Sequence, residues 1–263
     1  LYEGNGTGQR VGNFIPFTDS KTVDNSCRFD VGDSDYLTKT FSGAGSETIC
    51  TISFWHKRGS IVNELVFTAG ATNEQSWIQI GGSGEAYGVR VLSETGGTGY
   101  IDIQSLPLVR SADSWHNYVI EIDTTSAVTA VADKVKIYTD GVRLTTFNGT
   151  PDYPVLDDTV FFGQDVVHNI GASIGPGNYV DGYIAEFVYI DGTAYDASSF
   201  GQTDTSTNRW IPKDVSGLTF GTNGFYLEFG TGNALGDDTS GNTNDFFLLK
   251  SGSFDSLTVN GQG

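Results

Sequence analysis

The sequence contains no methionine and only two cysteines among its 263 residues. Two cysteines cannot form a disulfide scaffold in a chain of this length, so Cys27 and Cys50 either form one bridge or remain as two buried thiols on strands. No apolar run approaches the ~20 residues that a membrane-spanning helix needs, and we expect no membrane insertion. The lack of methionine in a chain that begins at Leu1 is what a processed product or a fragment of a longer protein would show.

Basic residues are also scarce, since 14 Lys and Arg stand against 32 Asp and Glu and give a formal net charge of −18. This field repels phosphate backbones and anionic lipids, so we expect neither nucleic acid nor acidic membrane surfaces as partners. Most of the acidity is typical of a soluble surface. Aspartate also favours turns and hard-cation sites, so its local clusters have two interpretations.

The chain does contain 35 glycines and 13% aromatic residues. Short runs that alternate apolar with polar residues, such as 77–80 and 183–190, are separated by glycine-rich breaks. This pattern predicts an all-β fold with two stacked antiparallel sheets, and only residues 194–200 indicate a helical turn. We place an extended N-terminal arm at residues 1–22, the β-sandwich at 23–250 and a C-terminal tail at 251–263.

Residues 115–123 and 135–144 are the most informative segments. The first predicts one strand, and the second predicts two short strands joined at Asp140-Gly141. A tight hairpin needs residues that tolerate positive φ at its tip, and this dipeptide supplies them.

These segments resemble the central part of concanavalin A-like or laminin-G-like jelly-roll domains, which carry a Trp-His pair on one strand and a Tyr-x-Asp-Gly hairpin on the next. Residues 181–189 are similar to the later strand of that family, although Ala185 stands where an aspartate is usual. The resemblance covers residues 26–192 and implies a two-sheet antiparallel jelly-roll sandwich.

Residues 225–229 and 236–245 resemble a segment that opens many bacterial members but here follows the domain. This order implies permuted terminal strands that lie close together in the fold. The complete arrangement is similar to tail-fibre or head-surface proteins of tailed bacteriophages. That similarity implies a virion-surface or extracellular location, with self-association or other virion proteins as partners.

No catalytic residues are predicted. Jelly-roll glucanases place three acids along one strand in a Glu-x-Asp-x-x-Glu pattern, which brings carboxylates to one face. The nearest match begins at Glu121 and Asp123, but Ser126 stands in the position of the third acid. We interpret Glu186, a lone carboxylate on a strand, as a structural hydrogen-bonding group.

Sugar binding is the function that the resemblance favours, and it needs an exposed aromatic ring beside polar groups. The candidates near glycine-rich loops are Trp77, Tyr87 and Tyr100. We expect Trp55 and Trp115 to pack in the core and Trp210 to anchor an interface. For each of these aromatic residues, burial in the core or at a subunit contact is the alternative.

Calcium is the one cofactor that the sequence suggests. Five oxygen-bearing side chains lie within nine residues: Asp237, Asp238, Asn242, Asn244 and Asp245. Hard cations bind six to eight such oxygens, partly from backbone carbonyls. Because the same residue types form turns without a metal, the alternative is a metal-free loop.

The sequence therefore predicts a non-enzymatic surface module with a lectin-like domain that binds a cell-surface glycan. Two alternatives remain, namely a polysaccharide-degrading enzyme on the same fold and a structural decoration protein without a ligand.

Overall fold

The computed structural model describes residues 21–81, 88–106, 112, 114–125, 130–230 and 235–249. In these ranges the chain forms strands β1 to β16, numbered in chain order, and two short 3-10 helices, Val131–Asp133 and Ala197–Ser199. The second helix lies where the sequence indicates a helical turn. Most of the strands pair antiparallel in two sheets, so the predicted all-β sandwich is confirmed.

The first sheet has β12 and β3 at its centre. Its order is β1 (Cys27–Phe29), β12 (Gly182–Asp191), β3 (Ile49–Arg58), β8 (His116–Asp123), β9 (Val135–Thr139) and β10 (Val142–Arg143). Strand β15 (Phe225–Leu227) also pairs with β12, along the part of that strand that β1 leaves open. The first strand of the chain and a late one therefore share one edge of β12.

The second sheet ends in the strands that matter most for the candidate site. Its order is β16 (Phe247–Leu249), β2 (Tyr36–Thr40), β11 (Val167–Ile170), β4 (Glu64–Ala71), β5 (Glu74–Ile80), β6 (Val89–Thr95) and β7 (Thr98–Gln104). A separate two-stranded ribbon joins β13 (Gly201–Thr203) to β14 (Trp210–Pro212).

The core lies between the sheets and is rich in aromatic rings. Phe67 of the second sheet stacks on Phe162 at 5.1 Å between ring centroids and meets Phe187 of the first sheet edge-on at 5.3 Å. Cys27 and Cys50 are buried as thiols and are not bonded to each other. Since strand side chains alternate between faces, the outward positions are free to build other surfaces.

The outer face of the first sheet is covered by the chain itself. Residues 195–220 fold over it, and their apolar side chains form a second cluster with Val119, Val188 and Ile190. On the second sheet, Thr68 donates a hydrogen bond to the carbonyl of Ala172 at 2.9 Å, so the loop after β11 covers part of its outer face. Strands β5 to β7 keep half-exposed outward side chains.

The Asp140-Gly141 hairpin forms as predicted. Asp140 and Gly141 have φ values of 49° and 77°, and the flanking residues pair directly as β9 and β10. The Asp140 carboxylate accepts a hydrogen bond from the backbone N–H of Asn117 at 2.8 Å and lies 2.7 Å from Nδ1 of His116. These contacts explain why the Trp-His strand and the hairpin occur together.

Candidate functional site

Trp77 lies on the outer face of the second sheet, as a sugar-binding residue would. On β5, Ser76, Ile78 and Ile80 are buried inward, and Trp77 alternates with them. Its ring is half-exposed and pairs across the sheet with Leu92 of β6.

The Trp77 ring is held in a stack with a fixed cation. The Arg90 guanidinium carbon lies 4.9 Å from the ring centroid. Asp102 on β7 accepts two hydrogen bonds from Arg90, 2.7 Å from Nε and 2.6 Å from Nη2. The Asp102 hydrogen bonds raise the pKa of Arg90, because they favour its charged form. A bidentate pair of this kind fixes the orientation of the guanidinium plane beside the ring.

Amide side chains surround this stack. The strand register places three glutamines on the same outer face. Gln75 and Gln79 lie two residues either side of Trp77 on β5, and Gln104 of β7 pairs directly with Arg90. Gln75 donates to the Glu94 carboxylate at 2.7 Å, and the Gln104 side chain accepts from Asn148 at 3.2 Å. Amides both donate and accept, which suits the hydroxyl groups of a sugar. We call the outward residues of β5 to β7 the Trp77 face.

The structure does not bring Tyr100 to the Trp77 face. A register shift between Ser93 and Glu94 leaves Tyr100 as an extra residue on β7. Its ring packs against the main core, and its hydroxyl donates to the carbonyl of Thr159 at 2.6 Å. Tyr87 lies outside the described residues.

The five predicted calcium ligands lie in one loop before β16, and hydrogen bonds already engage polar atoms of four of them. Asp238 accepts backbone N–H groups from Tyr226, Ser240 and Asn244 at 2.8–2.9 Å. Asn242 and Asn244 point amide nitrogens, not oxygens, at carbonyls of residues 221–224. Asp245 accepts from the backbone N–H of Asp238 at 2.9 Å, and the fifth residue, Asp237, precedes Asp238 and is exposed.

This geometry fits a hydrogen-bonded loop better than a hard-cation site. Over the described ranges, no group of three or more His, Cys, Asp or Glu side chains is arranged to hold a metal ion. The calcium site stays a prediction, because calcium also binds amide and backbone carbonyl oxygens.

The glucanase-like acids are engaged in structural contacts. Glu121 lies 2.6 Å from the ammonium of Lys136 and accepts from the Tyr138 hydroxyl at 3.1 Å. Asp123 accepts hydrogen bonds from its neighbour Thr125.

The other tryptophans differ in their surroundings. Trp55 is 8% exposed and belongs to the core, as expected. Trp115 is half-buried instead, with its ring 6.4 Å from Tyr183, so the expectation of a core position is wrong. Trp210 packs within the chain: its indole donates to Asn117 at 3.0 Å, and a Cβ on Gly141 would lie 2.4 Å from its ring.

Sequence reasoning missed a buried charged cluster that joins the two sheets. Glu64 of β4 lies 3.3 Å from Nε of Arg58 and 3.5 Å from Nε2 of His56, both on β3. Burial raises the pKa of Glu64 to about 8 despite Arg58, and burial lowers the pKa of His56 to about 3. The sequence signal for this cluster was the two-residue spacing of His56 and Arg58, which places both side chains on the same face of β3.

A second missed cluster surrounds Lys21 on the first sheet. Its ammonium lies 2.7 Å from Glu186 and 2.9 Å from Glu228, and it contacts the Tyr226 hydroxyl. Glu186 sits at a β-bulge with φ of 50°, and burial raises its pKa even though Lys21 opposes this. The predicted structural role of Glu186 agrees with this arrangement.

Two antiparallel sheets packed around one aromatic core define a jelly-roll sandwich. A family comparison matches residues 31–193 to the concanavalin A-like lectin/glucanases superfamily. The match covers more than half of the chain, and the protein therefore belongs to this superfamily.

This chain is similar to solved structures of other proteins. A protein of Bacteroides ovatus described as a candidate carbohydrate-binding protein has a TM-score of 0.53 and 14% identity, over 92% of this chain and 60% of its own. A heptameric SAP-like pentraxin of Limulus polyphemus has a TM-score of 0.45 and 10% identity, over 65% of this chain and 77% of its own. The Bacteroides ovatus structure supports the fold alone, because its identity is only 14%. A comparison with curated proteins found no match. Nowhere in the described ranges is there a helix long and apolar enough to cross a membrane.

Proposed function

We propose that this chain is a non-enzymatic glycan-binding module and that it binds sugar on the Trp77 face. The observation that carries the proposal is the fixed Trp77–Arg90–Asp102 stack on an open sheet face flanked by amide side chains. Lectin-type sites combine an aromatic surface with a few convergent polar groups in this way.

The chemistry of the face suits a sugar. Arg90 lies over part of the Trp77 ring, so a pyranose would pack against the remaining exposed ring and the edge of the guanidinium. The amides of Gln75 and Gln79 would exchange hydrogen bonds with ring hydroxyls. Because Asp102 fixes Arg90 before any ligand arrives, little side-chain entropy is lost on binding.

The superfamily match agrees with this proposal, since its description includes both lectins and glucanases. The Bacteroides ovatus protein of similar fold is described as a candidate carbohydrate-binding protein. Against the enzyme alternative, Glu121 and Asp123 are both occupied by structural partners.

A glycan array with the wild-type chain and Trp77→Ala tests the proposal. We expect Trp77→Ala to weaken binding about tenfold or more with the fold intact, because it removes the aromatic surface. Trp115→Ala is the matched control, since it removes a half-exposed tryptophan away from the face. Equal binding by wild type and Trp77→Ala would show that the site lies elsewhere, and release of reducing ends from a bound glycan would favour the enzyme.

We also propose the virion-surface or extracellular location and the association with itself or other virion proteins. These rest on the sequence similarity to phage tail-fibre and head-surface proteins. Immunogold labelling of intact particles tests the location, and sedimentation velocity of the purified chain tests self-association. Labelling absent from particles would remove the virion role without affecting the glycan site.

A further inference from the structure

The charges on the Trp77 face are unbalanced. Glu94 and Asp102 lie on its outward positions, and Arg90 is the cation that the described part of β5 to β7 places there. Asp152 adds a further carboxylate, because it pairs directly with Asp102 through two backbone hydrogen bonds of 3.0 Å. Antiparallel partners point to the same side of a sheet, so Asp152 lies beside Asp102 on this face.

The one cation is already neutralised. Asp102 occupies both Nε and Nη2 of Arg90, at 2.7 and 2.6 Å. An anionic ligand could pair with Arg90 only by displacing this bidentate carboxylate, and it would then leave Asp102 beside Asp152 without a counter-charge. The guanidinium therefore serves as a flat hydrogen-bonding surface and not as an anion receptor.

A carboxylate or sulfate on a ligand would meet Glu94 and Asp152 instead. Both lie next to the stack, and the whole chain carries a charge of −18. Like charges a few ångströms apart repel even in high dielectric, and two of them weaken binding by about tenfold. Neutral hydroxyls carry no such penalty and match the amides of Gln75, Gln79 and Gln104.

We propose that the Trp77 face selects neutral glycans and rejects those that carry carboxylate or sulfate groups. This inference rests on the proposed glycan-binding function and adds the chemical class of the ligand.

An array of matched pairs tests it, with each neutral glycan printed beside an acidic counterpart on the same backbone. Suitable pairs are lactose with sialyllactose, and methyl-esterified with de-esterified oligogalacturonides. We expect the neutral member to bind about tenfold more tightly or better, with the ratio shrinking as salt screens the carboxylates. Equal or stronger binding of the acidic members overturns the selectivity and leaves the glycan-binding function standing. A folded chain that binds no member of any pair on a broad array overturns both.

Charge variants localise the effect. Asp152→Asn and Glu94→Gln should each raise the affinity for the acidic glycan of a pair. Each should therefore reduce the ratio of neutral-glycan affinity to acidic-glycan affinity. Asp33→Asn is the matched control, because it removes one exposed charge in the turn before β2, away from the Trp77 face. If Asp33→Asn narrows the ratio as much as Asp152→Asn, net charge and not this face sets the preference, and the proposal fails.

Discussion

The buried carboxyl of Glu64 makes the stability of the fold depend on pH in an unusual direction. Burial raises its pKa from 4.5 to about 8, against the opposing effect of Arg58. The folded chain then binds more protons than the unfolded chain between these values, so the free energy of unfolding falls as pH rises. The contribution of this group is complete below pH 4.5 and is lost as pH rises through about 8.

The size of the effect follows from linkage. One pKa unit corresponds to about 1.4 kcal/mol. Raising the pKa of Glu64 from 4.5 to about 8 therefore contributes about 5 kcal/mol to the free energy of unfolding at low pH. Of this, about 2 kcal/mol should disappear between about pH 6 and pH 8. His56 and His168, with pKa values of about 3 and 4, are already neutral throughout that window.

Urea unfolding of wild type and Glu64→Gln across this window measures the effect. The variant cannot ionise at this position, so the stability difference between the two proteins should change by about 2 kcal/mol from pH 6 to pH 8. Asp33→Asn, which alters an exposed carboxyl, should follow wild type. A difference that stays constant with pH would mean that Glu64 remains ionised beside Arg58, and the reasoning would be refuted.

Three further perturbations follow from the packing. Trp55→Ala should lower the free energy of unfolding by about 3–5 kcal/mol and half-buried Trp115→Ala by clearly less, and urea melts that rank them the other way would contradict the burial argument. Lys21→Met should lower the free energy of unfolding by about 3 kcal/mol near neutral pH, because Glu186 loses its counter-charge. Adding Glu186→Gln should restore part of this loss. An unchanged urea melt for Lys21→Met would disprove the pairing. Asp238→Ala should lower the free energy of unfolding by about 2–3 kcal/mol with or without calcium, because three backbone N–H groups lose their acceptor. A melting temperature of the wild-type chain that rises with calcium and falls with chelator would instead favour the metal site.

The fold was predictable because its signals are local. Alternation along β5 sets which face is buried, and the Asp140-Gly141 dipeptide sets the hairpin through its backbone preferences. These rules need only neighbours in sequence, whereas Trp77 became a site candidate because it lies near a glycine-rich loop.

The candidate site was predictable only in part, because bulges and long-range pairs leave little trace in one sequence. The extra residue at Tyr100 shifts the register of β7 and turns the ring toward the core, although simple alternation places it near Trp77. The Arg90–Asp102 pair depends on which strand lies beside β6. Lys21 and Glu186 are separated by most of the chain, and only the tertiary fold brings them together.

Residues 195–220 cover the first sheet, so the two broad sides of the sandwich differ. One broad side is covered by the protein's own chain, and the other presents strands β5 to β7 to solvent. Copies fixed to a common support through the covered side would all present the Trp77 face in the same direction. Individually weak contacts would then act together, and attachment strength would depend on the density of copies more than on the affinity of any one.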